Sequence, residues 1–346
     1  MPIPFLIAAA AIAAGAAGVG LGAHGAMKMK EANDTLKSAE ERNKKNNMRL
    51  EMTNKSTCET MDVLGKNEME VLAGFSEFSD LIEKIKNRPK FANININDAS
   101  IPVFDGEDIK KASVGASVLI GGLGGAALGT AGGFAASGAT TAAVMALGTA
   151  STGTAISTLG GVAATNATLA VLGGGTIAAG GGGVALGTTV LGAATLGVGL
   201  LVGGAIFSLT GSKLSDKADE AYWAMRRNED KINDLCSYLN ELQNTAMEYN
   251  LTLMQTRSLY ASYINRMRMI VQSHETSGVN WHDFSEGEKL VVSNVVLLVN
   301  VLYNMCKVQL VLKSEENPEY NVVNQEEIIK ASQAANNAFA QVMMAA

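Results

Sequence analysis

Three short patterns in this chain carry residue types that can do chemistry. "GLGAHG", Gly20 to Gly25, has the G-x-G-x-x-G spacing whose glycines let a helix N-terminus approach a pyrophosphate. That use needs a strand before the motif, a βαβ unit around it and an acidic ribose ligand after it. Here an Ala/Gly-rich run precedes the motif and a long charged helix is expected after it, so the match follows from composition. No G-x-x-x-x-G-K-[ST] phosphate loop occurs, and "LTGSKLS", Leu209 to Ser215, lacks the upstream glycine at the right spacing. His282-Asp283 joins a metal-ligand type to a carboxylate, but no partner histidine pair completes a site. His274 falls in the same loop and His24 in the apolar N-terminus. Cys58, Cys236 and Cys306 are odd in number and far apart, and read as thiols of a reducing compartment. No G-x-S-x-G occurs. The expectation is a protein that is not an enzyme and that uses no cofactor and no metal.

The elements that would have to position any site are unusual. The 346 residues are 47% hydrophobic but only 5% aromatic, with net charge −6 and pI near 5.3. An acidic chain of this kind argues against nucleic acid as a partner, which calls for a basic surface. Residues 1–27 contain no Lys, Arg, Asp or Glu. They lack the basic start of a secretory signal and read either as a retained apolar helix of nearly bilayer length or as a buried Ala-rich helix. Residues 28–111 change abruptly to a long charged helix plus linker. Met48, Met52, Met61, Leu64, Val71, Leu72, Phe75, Phe78, Leu81, Ile82 and Ile85 form its apolar stripe, with a break expected near Gly65 and an end at Arg88-Pro89. The linker after it leans towards β structure around "FANININ".

Residues 112–212 follow, 101 residues with no formal charge and 27 of the chain's 37 glycines. "GTTVLGAATLGVGLLVGGAIF", Gly187 to Phe207, is the best candidate for a membrane crossing. Its nine large apolar residues are worth about −3 to −5 kcal/mol of insertion before the glycines subtract. Ser117, Gly121, Gly125, Gly129, Gly133 and Ser137 recur four apart, which places small residues down one helix face where two backbones can touch. In water each such glycine costs a helix about 1 kcal/mol, so lipid or a tightly packed oligomer suits the block better than solvent. The alternative is a glycine-rich soluble core shielded by the long helices. Lys110 and Lys111 before the block, with Lys213 and Lys217 after it, are expected to anchor at headgroups. Basic flanks on both sides put the two ends in one compartment and make the crossings even in number, a hairpin being the simplest case.

Residues 213–346 form a C-terminal helical bundle in this reading. Leu214, Ala218, Ala221, Met225, Ile232, Leu235, Leu239, Leu242, Ala246, Tyr249, Leu253, Tyr260, Tyr263, Met267 and Ile270 make a helical seam nearly sixty residues long. Ser285 with Glu288 has the spacing of a capping box ahead of the apolar "LVVSNVVLLVNVLYNMCKVQLVL". Lys289, Ser293, Asn300, Asn304 and Lys307 give that helix a polar stripe, which suits a soluble bundle. Asn324 and Glu327 cap a last helix. The expected fold is all-α, with long antiparallel coiled-coil-like helices flanking the Gly/Ala-rich hairpin region.

"GTASTGTAISTLGGVAATNATLAVLGGGTIAAGGGGVALGT", from Gly148, resembles the glycine-rich apolar segment of the interferon-inducible small hydrophobic membrane proteins. It is closer to a group of uncharacterised bacterial glycine-zipper-type membrane proteins that carry this phrase between charged helices. The resemblance covers about residues 112 to 210. It implies membrane association with a role in stress or defence, and brings no catalytic residue with it. The long flanking helices have no counterpart in the interferon-inducible proteins. In organisation alone, long helices around an apolar insert are also similar to helical pore-forming toxins. The function expected is that of a membrane-associated, oligomerising helical protein that inserts into or perturbs a bilayer. The alternative is a non-enzymatic coiled-coil scaffold, soluble or membrane-tethered. The partners expected are a lipid bilayer, further copies of the chain and a protein bound through the long helices. The flanking helices are placed on the cytoplasmic side, with the protein soluble before a trigger as the variant of that reading.

Overall fold

A computed structural model describes residues 23–91, 94–96, 99–101, 106–122, 214–276, 278–313 and 321–344. Among them the fold is all-α, as the patterning implies, with two small two-stranded antiparallel sheets added. The elements are α1 (Ala23–Ala73), α2 (Phe75–Lys84), β1 (Ile94–Ile96), β2 (Ala99–Ile101), α3 (Gly106–Gly122), α4 (Leu214–Ser273), α5 (Glu286–Lys307), β3 (Val311–Lys313), β4 (Asn321–Val323) and α6 (Gln325–Met344). A 3-10 turn, Trp281–Asp283, precedes α5. The chain divides into two compact units, Met1–Asn47 with Ile206–Lys231 and Met48–Ala205 with Ile232–Ala346.

In the first unit, Ala39, Asn43 and Asn46 of α1 and Ala221 and Met225 of α4 are buried at steps of three and four. The Asn228 amide donates to Asn43 Oδ1 at 2.6 Å, and Arg42 pairs with Glu229 at 3.0 Å. These partners lie 185 and 187 residues apart.

In the second unit, α1 buries Leu50, Thr57, Met61, Leu64, Glu68 and Val71, alternating mostly by four and three. The facing stripe of α4 runs Ile232, Leu235, Leu239, Leu242, Ala246, Tyr249 and Leu253 with the same spacing. Thr57 donates to the Leu239 carbonyl, Asn67 to Asn250, and Arg257 to Glu70, at separations of 182, 183 and 187. A near-constant separation means that the helices run in the same direction. The antiparallel arrangement expected of the two long helices is therefore corrected to a parallel one. Antiparallel neighbours follow from short connections, and the chain between α1 and α4 is long enough for a crossover.

Three further corrections concern α1 and α2. No break occurs at Gly65, which is buried inside α1; the break comes at Gly74. There the freed Ala73 carbonyl accepts from Ser113 of α3 at 3.1 Å, and the Gly74 carbonyl accepts from the Tyr260 hydroxyl. Met48 and Met52 are exposed at 55% and 70%, because Leu50 takes the inward position between them. The helical run ends at Lys84 with extended Ile85, ahead of Arg88-Pro89, and Lys86 pairs in parallel with Asn280.

The rest of the second unit packs around α5. His274, just past α4, lies 3.9 Å from Glu288 at the start of α5, while Tyr249 reaches Met305 near its end, so α5 runs antiparallel to α4. Gln325 meets Glu241 and Tyr263 meets Val342, so α6 runs parallel to α4. The capping box at Ser285 is formed in both directions, and Asn324 Oδ1 accepts from the Glu327 amide. The apolar run expected to stay helical through Leu312 ends at Lys307. β-Branched Val308 turns extended there, and Val311–Lys313 pairs with Asn321–Val323. The linker's Ile/Asn alternation does form a strand pair, Ile94–Ile96 with Ala99–Ile101.

By length and composition α5 is the one helix among the described residues able to cross a membrane, and 78% of its most apolar stretch is buried inside the protein.

Candidate functional site

The polar-to-uncharged boundary drawn at residue 112 falls inside α3, a single helix from Gly106 to Gly122. Its first half belongs to the core of the second unit: Ile109, Ala112, Ser113 and Ala116 are buried. Lys110 is exposed and pairs with Glu83 at 3.0 Å, which raises its pKa, first through the hydrogen bond and then through the charge. Lys111 pairs with Glu107 at 3.5 Å. Ser117 is exposed, with its hydroxyl donating to the Ser113 carbonyl at 2.9 Å, and Gly121 lies one turn further along the same helix. Val114 and Ile120 are exposed on α3 as well. Gly125, Gly129, Gly133, Ser137 and Lys213, the predicted hairpin and the stretch Gly187–Phe207 lie outside the described residues, and Lys217 lies on α4.

A second feature, in the core of the second unit, went unread in the sequence. Glu68 of α1 is wholly buried, and neither carboxylate oxygen has a hydrogen-bond partner. Burial pushes its pKa well above the ordinary carboxylate range, so the group keeps its proton where an exposed glutamate would lose it. Beside it, the Cys306 thiol donates to the Glu68 backbone carbonyl at 3.7 Å, and the Tyr249 hydroxyl donates to the Met305 carbonyl at 2.8 Å. Burial first, and the Glu68 charge second, raise the pKa of both Tyr249 and Cys306. A thiol so placed is a packing group rather than a nucleophile. The signal was available: Glu68 continues the four-three spacing through Met61, Leu64 and Val71, which puts a carboxylate on the apolar stripe.

The third feature lies on α4 in the first unit. The exposed pair Tyr222 and Trp223 makes an edge contact at 5.7 Å, and Trp223 is 60% exposed. Arg226 beside them is exposed and pairs with Glu229. Elsewhere, His282 and Asp283 occupy the 3-10 turn, and no cluster of three or more metal-ligand side chains occurs among the described residues. No protein-family model, curated protein or solved structure matches the chain.

Proposed function

We propose that this is a membrane-associated, oligomerising helical protein, not an enzyme, whose uncharged segment inserts into or perturbs a bilayer. The resemblance of that segment to glycine-zipper-type membrane proteins suggests a stress or defence role. The observation that carries the reading is the 101-residue stretch without a charge, set between helices that carry many. Ser117, Gly121, Gly125, Gly129, Gly133 and Ser137 serve helix contact in this reading. Such contact replaces the hydrophobic drive that helices lack in lipid. Lys110, Lys111, Lys213 and Lys217 border the segment. The ion pair of Lys110 with Glu83 makes it an anchor only if lipid phosphate displaces that carboxylate. Release of a trapped dye from vesicles by the full chain, together with retention in the membrane pellet after carbonate extraction, is the expected result. Absence of both at all protein concentrations rejects the reading.

A second reading, a coiled-coil interaction protein, draws on an exposed apolar row of α4: Met247, Leu251 and Met254 lie at i, i+4 and i+7. Deleting residues 123–212, which leaves α3 intact, separates the two. Activity that survives in the remaining helices favours the interaction protein.

A further inference from the structure

We infer that two copies of the chain associate through a second, outward seam of α4, laid antiparallel about a two-fold axis near Thr252 and Leu253. The inference rests on the oligomerising part of the reading above and places its contact on a described helix rather than on the uncharged segment. In the second unit α4 buries one seam from Ile232 to Met267 at alternating steps of three and four. That seam packs on α1 and α5, with Leu239 meeting Thr57 and Tyr249 meeting Met305. At about 100° per residue, the positions two before and two after Leu242, Tyr249, Thr256 and Tyr263 fall on the opposite side of the helix. They form a second row with the same alternation, from Asn240 to Asn265. Every member of it is exposed and none carries a charge. α4 thus has the patterning of two coiled-coil seams, and among the described residues only the inner one is filled.

The outer row is complementary to itself. Met247, Leu251 and Met254, which are 54%, 61% and 37% exposed, occupy its middle, with Asn240 and Asn244 at one end and Asn265 at the other. Turned about the axis, Leu251 of one copy faces Met254 of the other, Met247 faces Ser258 and Asn240 faces Asn265. The contact then has an apolar centre and a polar rim. Charge on the flank of the row divides at the same axis. Asp234, Glu241 and Glu248 recur seven apart, and the series continues uncharged as Gln255 and Ser262. Antiparallel copies therefore bring Glu248 to Gln255 and Glu241 to Ser262, and no two carboxylates meet. Direction follows from the next turns of the row, where the exposed Asp230 and Arg226 lie. Parallel copies would set each of these against its own like charge, which is costly. In the antiparallel pair the facing helix ends at Ser273, before it reaches them. A row of this length is about 40 Å long at about 1.5 Å per residue. Pairing two of them covers on the order of 1,200 Å², the lower edge of a stable interface.

The test uses the full chain in a Cys58→Ser background, since Cys236 and Cys306 are buried. It is run in buffer and again with phosphatidylcholine–phosphatidylglycerol vesicles. Sedimentation equilibrium in buffer is expected to show a dimer whose association Leu251→Glu weakens at least tenfold. The circular dichroism spectrum is expected to stay unchanged, because that side chain is exposed. Gln333→Glu, which puts the same charge on an exposed position of α6, is expected to leave the dimer intact. Chains carrying Met247→Cys, mixed with chains carrying Ser258→Cys and oxidised, are expected to form the mixed disulfide severalfold in excess of either like pair. An excess of the Met247→Cys like pair overturns the antiparallel arrangement. Oligomers that survive Leu251→Glu, or that form only with vesicles and without the mixed disulfide, overturn the inference and leave the oligomerising reading standing. A monomer under both conditions overturns both and leaves the row to an unlike protein.

Discussion

A buried carboxyl without a partner sets how the second unit responds to pH. The pKa of Glu68 is raised in the folded protein, so the fold binds a proton that the unfolded chain releases above its ordinary value near 4.5. The unfolded state therefore gains as pH rises, and the stability contributed by this residue falls from about pH 4.5 upward until the folded group itself ionises. Glu68→Met removes the buried oxygens and keeps the volume. It is expected to raise unfolding free energy at pH 7.5 by about 1–3 kcal/mol, the usual cost of an unsatisfied buried polar group, and by less at pH 4. Urea titrations at both pH values check this; an equal gain at both, or a loss at pH 7.5, rejects it. The position was legible in the four-three spacing. What the spacing does not contain is whether a neighbouring helix brings a partner, and here α4 and α5 bring Tyr249 and Cys306, whose donors go to backbone carbonyls.

At the scale of elements, the break between α1 and α2 separates local geometry from tertiary support. Gly74 has helical φ of −67°, and a Cβ there would sit 3.4 Å from the Glu70 and Val71 carbonyl oxygens, an ordinary contact. Gly74→Ala is therefore expected to stabilise the fold by roughly 0.4–1 kcal/mol through the unfolded chain. Ser113→Ala, which takes a donor from the Ala73 carbonyl, is expected to cost about 1 kcal/mol. Thermal melts of the two variants should move in opposite directions; a break held by glycine itself would make Gly74→Ala the damaging one.

The capping box before α5 gives a further expectation of opposite sign to that of Glu68. Slight burial pushes the Glu288 carboxyl up, but the Ser285 amide and hydroxyl outweigh it and hold the pKa below the usual range. Its stabilisation is present above the unfolded pKa and is lost as pH falls through the folded one. Ser285→Ala should cost about 1 kcal/mol at pH 7 and flatten that loss, as read from acid titrations of the melting temperature.

Helix identity and the α4 seam were readable because both depend on local spacing. Leu50 displacing Met48 and Met52 was not, because several phases of one apolar pattern fit the same stretch and the facing helix selects among them. Direction of packing was not readable either, since it depends on a connection whose course the spacing does not record.

At the scale of the whole molecule, an apolar helix need not be a membrane segment. α5 passes a length and composition test for a membrane span, yet it forms the interior of the second unit. Cys306, wholly buried on α5, is accordingly expected to resist N-ethylmaleimide in the native protein both free and vesicle-bound, reacting only after denaturation. Rapid modification on addition of vesicles would mean that α5 leaves the core for lipid. The glycines and alanines that dominate the uncharged segment offer little apolar area per residue.

The parallel pairing of α1 with α4 has a consequence for biosynthesis. Hydrogen-bonded partners on the two helices lie 182 to 187 residues apart, so α1 leaves the ribosome long before its mate has been translated. At about 5–20 residues per second that delay is roughly 10–40 s. The glycine-rich stretch is translated within this interval, ahead of the helix that pairs with α1. Whatever the nascent chain first meets, chaperone or lipid, therefore has the first opportunity to engage it.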